Sequence, residues 1–299
     1  MNNERNDKNI QKRIINTLEI TEQRGYNLTI EQLSKYLIGG TTEKSQIEQI
    51  IHSMETIETE DGYVATKGHL ELEKCRRRAM INPQLKPIYT TIAHEFVSDY
   101  IKLCPWVQCI LLTGSMATDG LGKNDDIDFN LIVQDGTKYT SYLIAVFTGL
   151  KYALKYRKYV NLRYFRILPR IICISVIWEH YQVTPFLRQD EQVGFELLIA
   201  KTLFNQDFFS FMINNNCWLK NYFPQLFEQN TQKNLIQTTI MPQSKKIPRV
   251  IEWIARHLVF LMYKSVYTCK FHDSWISQRM KYMRQVKHPY GLLDIPQKK

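Results

Sequence analysis

Asp126 and Asp128 stand two residues apart near the end of the stretch LLTGSMATDGLGKNDDIDFNLIV, residues 111–133. Positions i and i+2 of a strand project to one face. The spacing therefore aims two carboxylates the same way, where they repel unless a cation lies between them. Ile127, Phe129 and Leu131 take the opposite face, toward a core. Upstream, Gly114-Ser115 closes the preceding apolar run. Glycine lets the backbone turn sharply and come close to a ligand. Ser115 then falls at or near the start of a helix, where a hydroxyl and unpaired N–H groups hold a phosphate. Two carboxylates on rigid backbone, together with phosphate oxygens, make the all-oxygen shell that Mg²⁺ prefers. Lys123, in the intervening loop, is a candidate to reach a phosphate, beside the plainer reading of a solvated loop lysine.

Thr113-Gly114-Ser115, followed on the next strand by Asp126-Ile127-Asp128, resembles the signature of the DNA polymerase beta-like nucleotidyltransferase superfamily over roughly residues 90–180. The resemblance implies transfer of a nucleoside monophosphate from an NTP, with ATP expected, to an acceptor hydroxyl or related group, with release of pyrophosphate. It puts Gly114, Ser115 and neighbouring N–H groups on the β/γ-phosphates, and Asp126 and Asp128 on one or two Mg²⁺ (or Mn²⁺) ions. The acceptor stays open among small molecule, peptide, protein and RNA. The resemblance also implies a third carboxylate on a later strand, which active members usually carry. In RIICISVIWEH the central positions are Cys173, Ser175 and Ile177, and Glu179 keeps the parity of Cys173 and Ser175 at the strand's end. Glu179 is thus the candidate third acid, with a surface salt-bridging role, or an acid from elsewhere, as its rivals. A site without that acid fits the alternative function, a catalytically weak or inactive nucleotide-binding regulator or scaffold.

The elements that must position these residues can be read from periodicity. A helix over about 86–103 precedes the strand VQCILLTGS; IDFNLIV is the second strand, 138–158 a long basic and apolar helix, and RIICISVIW a third strand. From about 186 onward the pattern reads as helical, through DEQVGFELLIAKTLF, QDFFSFMIN and PRVIEWIARHLVFLMYKSVY. In front, Ile10, Ile14, Ile15 and Leu18 mark one helix, Thr29 caps a second, and Ile47, Ile50, Ile51 and Met54 mark a third. Asp61-Gly62 is a hairpin turn signal between the runs that follow. The expected class is α+β: an N-terminal winged helix-turn-helix over 1–80, a central nucleotidyltransferase mixed β-sheet with flanking helices over 81–185, and a helical C-terminal region over 186–299.

The chain has 299 residues, 44% of them hydrophobic, and a net charge of +10. Residues 1–80 are nearly neutral, with 12 Lys/Arg against 13 Asp/Glu, whereas 138–170 hold eight basic residues and no acid, and 241–299 hold 12 against three. The positive field of the middle and C-terminal parts suits a polyanion such as a nucleotide; basic residues at 151–170 and 245–287 are candidate contacts for triphosphate or acceptor. DNA is a possible partner of the front module but not the favoured one. Its candidate recognition helix offers Glu43, Lys44, Glu48 and Gln49, and its hairpin carries Glu55, Glu58, Glu60 and Asp61, acids that a groove-reading element avoids. Docking or dimerisation fits these charges better. Six scattered cysteines without a C-x-x-C pair support neither a zinc site nor a disulfide framework. No apolar h-region opens the chain, and no run reaches the roughly 20 apolar residues of a membrane span. A soluble cytoplasmic protein is expected.

Overall fold

The computed structural model describes residues 2–123, 125–159, 171–231 and 246–269. The chain opens with α1 (Asn2–Gln23), which buries Ile10, Ile14 and Leu18 along one stripe. After β1 (Leu28–Thr29), Thr29 starts α2 (Ile30–Tyr36) through a reciprocal cap. Its hydroxyl accepts from Gln32 N–H at 3.1 Å, and Gln32 Oε1 accepts from Thr29 N–H at 3.0 Å. Next come α3 (Lys44–His52), β2 (Ile57–Glu60) and β3 (Tyr63–Thr66). Asp61 and Gly62 both take positive φ, 51° and 76°, as a two-residue hairpin turn requires. The three strands pair antiparallel in the order β1-β3-β2, with Leu28 opposite Val64. Their core includes Ile14, Leu18, Leu28, Leu33, Ile47 and Val64.

α4 (Leu72–Leu103) differs from the expected helix of 86–103. It begins fourteen residues earlier and runs unbroken through residues 80 and 81, where a domain boundary was expected. Pro83 and Pro87 lie inside it, on its exposed side. Each proline removes a donor and frees the carbonyl four residues back. The helix holds because both ends are fixed. Tyr89, Phe96 and Tyr100 are buried in the core at one end. At the other, Glu71 N–H donates to Asn27 Oδ1 at 2.9 Å and Lys74 Nζ donates to the Gly25 carbonyl at 2.7 Å.

A second sheet follows. β4 (Val107–Thr113) leads through the single turn α5 (Gly114–Ala117) to β5 (Ile127–Val133), then come α6 (Lys138–Lys155) and β6 (Ile172–Glu179). The strand order is β6-β5-β4-β7, with β5 and β6 parallel and the other pairs antiparallel. The fourth strand corrects the helical reading of residues 186 onward. After α7 (His180–Val183) and α8 (Glu191–Ile199), Ala200 turns extended and Lys201–Phe204 forms β7 on the free edge of β4. The sheet thus draws on the region beyond residue 185. α9 (Gln206–Asn214), α10 (Leu219–Tyr222), α11 (Pro224–Thr231) and α12 (Arg249–Cys269) complete the described chain.

Each sheet face has its own core. Ile127, Phe129, Leu131 and Val133 pack with Phe96, Tyr100 and Ile177, under α4 and α6. Cys109, Leu111, Ile132 and Trp178 pack with Phe195, Phe208 and Met212, under α8 and α9. Glu252 of α12 fixes the start of α6, accepting from Tyr139 N–H at 2.7 Å and from Thr140 N–H at 3.0 Å. The architecture is mixed α+β with two sheets, and no described helix is long and apolar enough to cross a membrane.

Candidate functional site

β4 and β5 bring the two halves of the Gly-Ser and Asp-x-Asp pattern together. Thr113 is opposite Asp128 in the antiparallel register, so the chain leaves β4 beside the carboxylate that β5 presents. Gly114 then turns with φ +65°. A Cβ added there would meet the Asp128 carboxylate, 3.0 Å from its Cγ and 3.1 Å from its Cβ. Glycine is therefore required twice, for the left-handed backbone and for the space that the carboxylate occupies. Ser115 follows in α5, which is one turn long. The loop curls back as Gly120 N–H donates to the Ser115 carbonyl at 2.8 Å.

The three acids of Asp125-Asp126-Ile127-Asp128 have different places. Asp125 closes its own loop, accepting from Gly122 N–H at 2.9 Å, and its Oδ2 lies 3.3 Å from Arg78 Nη2. Asp126 directly precedes β5 and Asp128 is its second residue; both are half-buried, while Ile127 between them is fully buried. Asp128 Oδ1 accepts from Ser175 Oγ at 2.8 Å. Lys123 stands exposed in the loop.

The expected third acid is elsewhere. β6 runs parallel to β5, with Cys173 opposite Asp128 and Glu179 opposite Val133. Glu179 thus lies about 16 Å along the strand from Asp128, and further from Asp126, at ~3.3 Å per residue. Parity alone suggested it; register removes it. Its carboxylate accepts from Gly136 N–H at 2.6 Å, and burial pushes it above the ordinary carboxylate range, opposed by that hydrogen bond. The residue that reaches Asp128 from β6 is Ser175, delivered by a register shift between Phe129 and Asn130. Among the described residues, no three His, Cys, Asp or Glu side chains gather to hold a metal ion by themselves. Asp128 is held within β5 against Gly114, and Asp126 stands one residue before the strand begins.

The structure adds residues that the sequence pattern missed. Asn130, two residues beyond Asp128, is fully buried and donates Nδ2–H to Glu196 Oε1 at 3.0 Å. Arg24, just past α1, pairs with the other oxygen of Glu196. Asp119, at φ +58°, takes Lys86 at 2.7 Å and Lys201 at 3.4 Å. Burial raises its pKa, but the two lysines outweigh that and leave it below the ordinary value. Arg78, Lys86 and Lys201 therefore surround the loop from Gly114 to Asp125. Beside Arg78, a cavity of about 150 Å³ opens between the N-terminal module, α4 and Thr118–Gly120. Of the basic stretches expected to meet a polyanion, residues 160–170, residue 245 and residues 270–287 lie outside the described residues.

No protein-family model, no curated protein and no solved structure matches this chain.

Proposed function

We propose that the chain is a metal-dependent nucleotidyltransferase that moves a nucleoside monophosphate from an NTP, with ATP as the first candidate, to an acceptor. The observation that carries this reading is the fit of Gly114 against Asp128. A loop that could hold phosphates with its N–H groups is pressed onto a carboxylate that could hold their metal ion, at a position only glycine fills. Mg²⁺ or Mn²⁺, when bound with the triphosphate, would neutralise the developing charge on the phosphoryl oxygens. Asp126 and Asp128 fix the donor geometry, and the loop amides with Ser115 orient the β- and γ-phosphates. The acceptor oxygen forms the new bond to the α-phosphorus as the α–β bridging bond breaks. Pyrophosphate leaves, and the acceptor proton passes to solvent or to a site carboxylate.

Labelled NTP with Mg²⁺ or Mn²⁺ and cell extract tests this. Label moves to an acceptor with wild type, and Asp126→Ala and Asp128→Ala each abolish the transfer. Transfer that survives both substitutions overturns the reading.

Ser175 favours a second reading. A hydroxyl, not a carboxylate, reaches Asp128 from β6, which suits a nucleotide-binding regulator or scaffold without fast turnover. It predicts NTP binding that depends on Asp126 and Asp128, with no pyrophosphate released.

We read the N-terminal module as a winged helix used for docking. Its order of helix, strand, two helices and two strands, with the sheet order β1-β3-β2, supports the first part. Charge supports the second. Arg76 of α4 ties down the hairpin acids Asp61, at 2.5 Å, and Glu60, at 3.6 Å, and Glu58 accepts from Gly68 N–H at 3.0 Å and Leu70 N–H at 2.8 Å. These hairpin acids are thus engaged by the protein's own α4 and by the segment that leads into it. A mobility-shift assay with random duplex DNA at low salt should show no retardation by the N-terminal module.

A further inference from the structure

We propose that one face of α4 walls the nucleotide site, with Arg78 and Tyr89 as its contacts to the terminal phosphates; this rests on the nucleotide reading above. Residues 78, 82 and 89 are spaced i, i+4 and i+11, which at ~100° per residue brings 78 and 89 within about 20° on the helix surface. Arg78 lies over the loop after Ser115. Its Nη2 is 3.3 Å from Asp125 Oδ2, and its Nη1 is 3.9 Å from where a Cβ on Gly120 would stand. It is one-quarter exposed and lines the cavity beside Thr118–Gly120. Three turns further along, Tyr89 is fully buried in the same core as Met116, Leu121 and Ile127, which flank the loop.

Two polar atoms on this face stand out. Tyr89 Oη, which can donate, and Asn82 Oδ1, an acceptor that a phosphate leaves unmet, are buried with no hydrogen-bond partner among the described residues, and the inference rests on the first. Such groups are rare because each forfeits its hydration without return. Burial, then the negative charges of Asp125 and Asp126, push the Tyr89 hydroxyl up to about 12, so it stays protonated as a donor. A guanidinium and a phenol on one face, both donors, call for a ligand rich in acceptors. A phosphate group is that ligand, and the guanidinium would exchange its long, single-pronged contact with Asp125 for a stronger charge-assisted pair.

The experiment is calorimetric titration of the full chain with Mg²⁺ and a non-hydrolysable ATP analogue, and separately with AMP. Tyr89→Phe deletes only an unpartnered hydroxyl, so thermal stability holds or rises. Analogue affinity falls roughly five-fold while AMP affinity changes less than about two-fold. Arg78→Gln weakens the analogue roughly ten-fold or more, again sparing AMP, and Arg78→Lys recovers part of the loss. Wild-type affinity in both Tyr89→Phe and Arg78→Gln, or equal losses for analogue and AMP, overturns the proposal and leaves the nucleotide reading standing. A wild-type chain that binds neither nucleotide overturns both.

Discussion

Asn130 and Glu196 are joined by a 3.0 Å hydrogen bond that links the strand of Asp128 to α8, and Glu196 in turn holds Arg24. The chain of three side chains runs from the N-terminal module to within two residues of the candidate site. Glu196 is only 12% exposed and Arg24 25%, so the pair is shielded enough to count. Arg24→Ala leaves an acid without its cation, which should destabilise the protein by roughly 2–3 kcal/mol. Glu196→Gln keeps an acceptor for Asn130 and should cost less. Urea unfolding of both single variants and the double variant measures the coupling; a loss below about 0.5 kcal/mol for Arg24→Ala would show that the bridge adds nothing.

Gly114→Ala should harm the site beyond its effect on stability. A left-handed alanine costs about 1–2 kcal/mol wherever it occurs. At Gly114 the new methyl must also displace the Asp128 carboxylate. Gly136 supplies the control, since it has φ +75° and an added methyl there would meet nothing within 4 Å. Gly136→Ala is expected to lose stability alone, and Gly114→Ala to lose stability and Mg²⁺-dependent nucleotide binding together. Equal nucleotide binding by the two variants would remove the special role of Gly114.

What the residues reveal by themselves is local. Alternation in IDFNLIV marks β5 and its two faces, the cap at Thr29 and the Asp61-Gly62 turn mark their elements, and Gly-Ser with Asp-x-Asp marks the place where two strands meet. What stays hidden depends on pairing. Glu179 has the right parity, but only the parallel register of β5 with β6 shows which end of the sheet it occupies. Lys201–Phe204 continues an apolar run that reads equally well as helix, and it becomes a strand because β4 offers an open edge. Arg78 and Tyr89 share a helix face across Pro83 and Pro87, residues that argue locally for a break.

Glu179 should behave as a structural acid and not a catalytic one. Burial raises its pKa in the folded protein above the ordinary 4.5. The folded state therefore binds the proton more tightly than the unfolded state does. Its contribution is fully present below the unfolded value and is lost as pH rises through the folded value. Glu179→Gln keeps an acceptor for Gly136 N–H and cannot ionise. The variant should exceed wild type in stability at neutral pH, with the gap closing toward pH 4 or so as wild type becomes protonated. Thermal unfolding across that range checks the sign. Nucleotide binding and any transfer activity should match wild type, because the residue sits at the far end of the strand from Asp128.

Ser175 separates the enzyme from the regulator most directly. Its hydroxyl donates to Asp128 Oδ1 at 2.8 Å, so Ser175→Ala removes a hydrogen bond to a charged group, worth roughly 1–2 kcal/mol at a half-buried position. Asp128 then loses a positional restraint, and nucleotide affinity should fall with little change in fold. Ser175→Asp does the opposite to the electrostatics. It places a third carboxylate against Asp128, raising repulsion in the metal-free protein and affinity for a divalent cation when one is supplied. The variant should therefore melt at a lower temperature than wild type in chelator and gain more from Mn²⁺. If the serine is what limits turnover, Ser175→Asp also releases pyrophosphate faster than wild type. A variant that gains Mn²⁺ stabilisation without any pyrophosphate release would favour the regulator, since the site would then be complete in its acids and still idle. One that gains neither would place the metal away from Asp128 altogether.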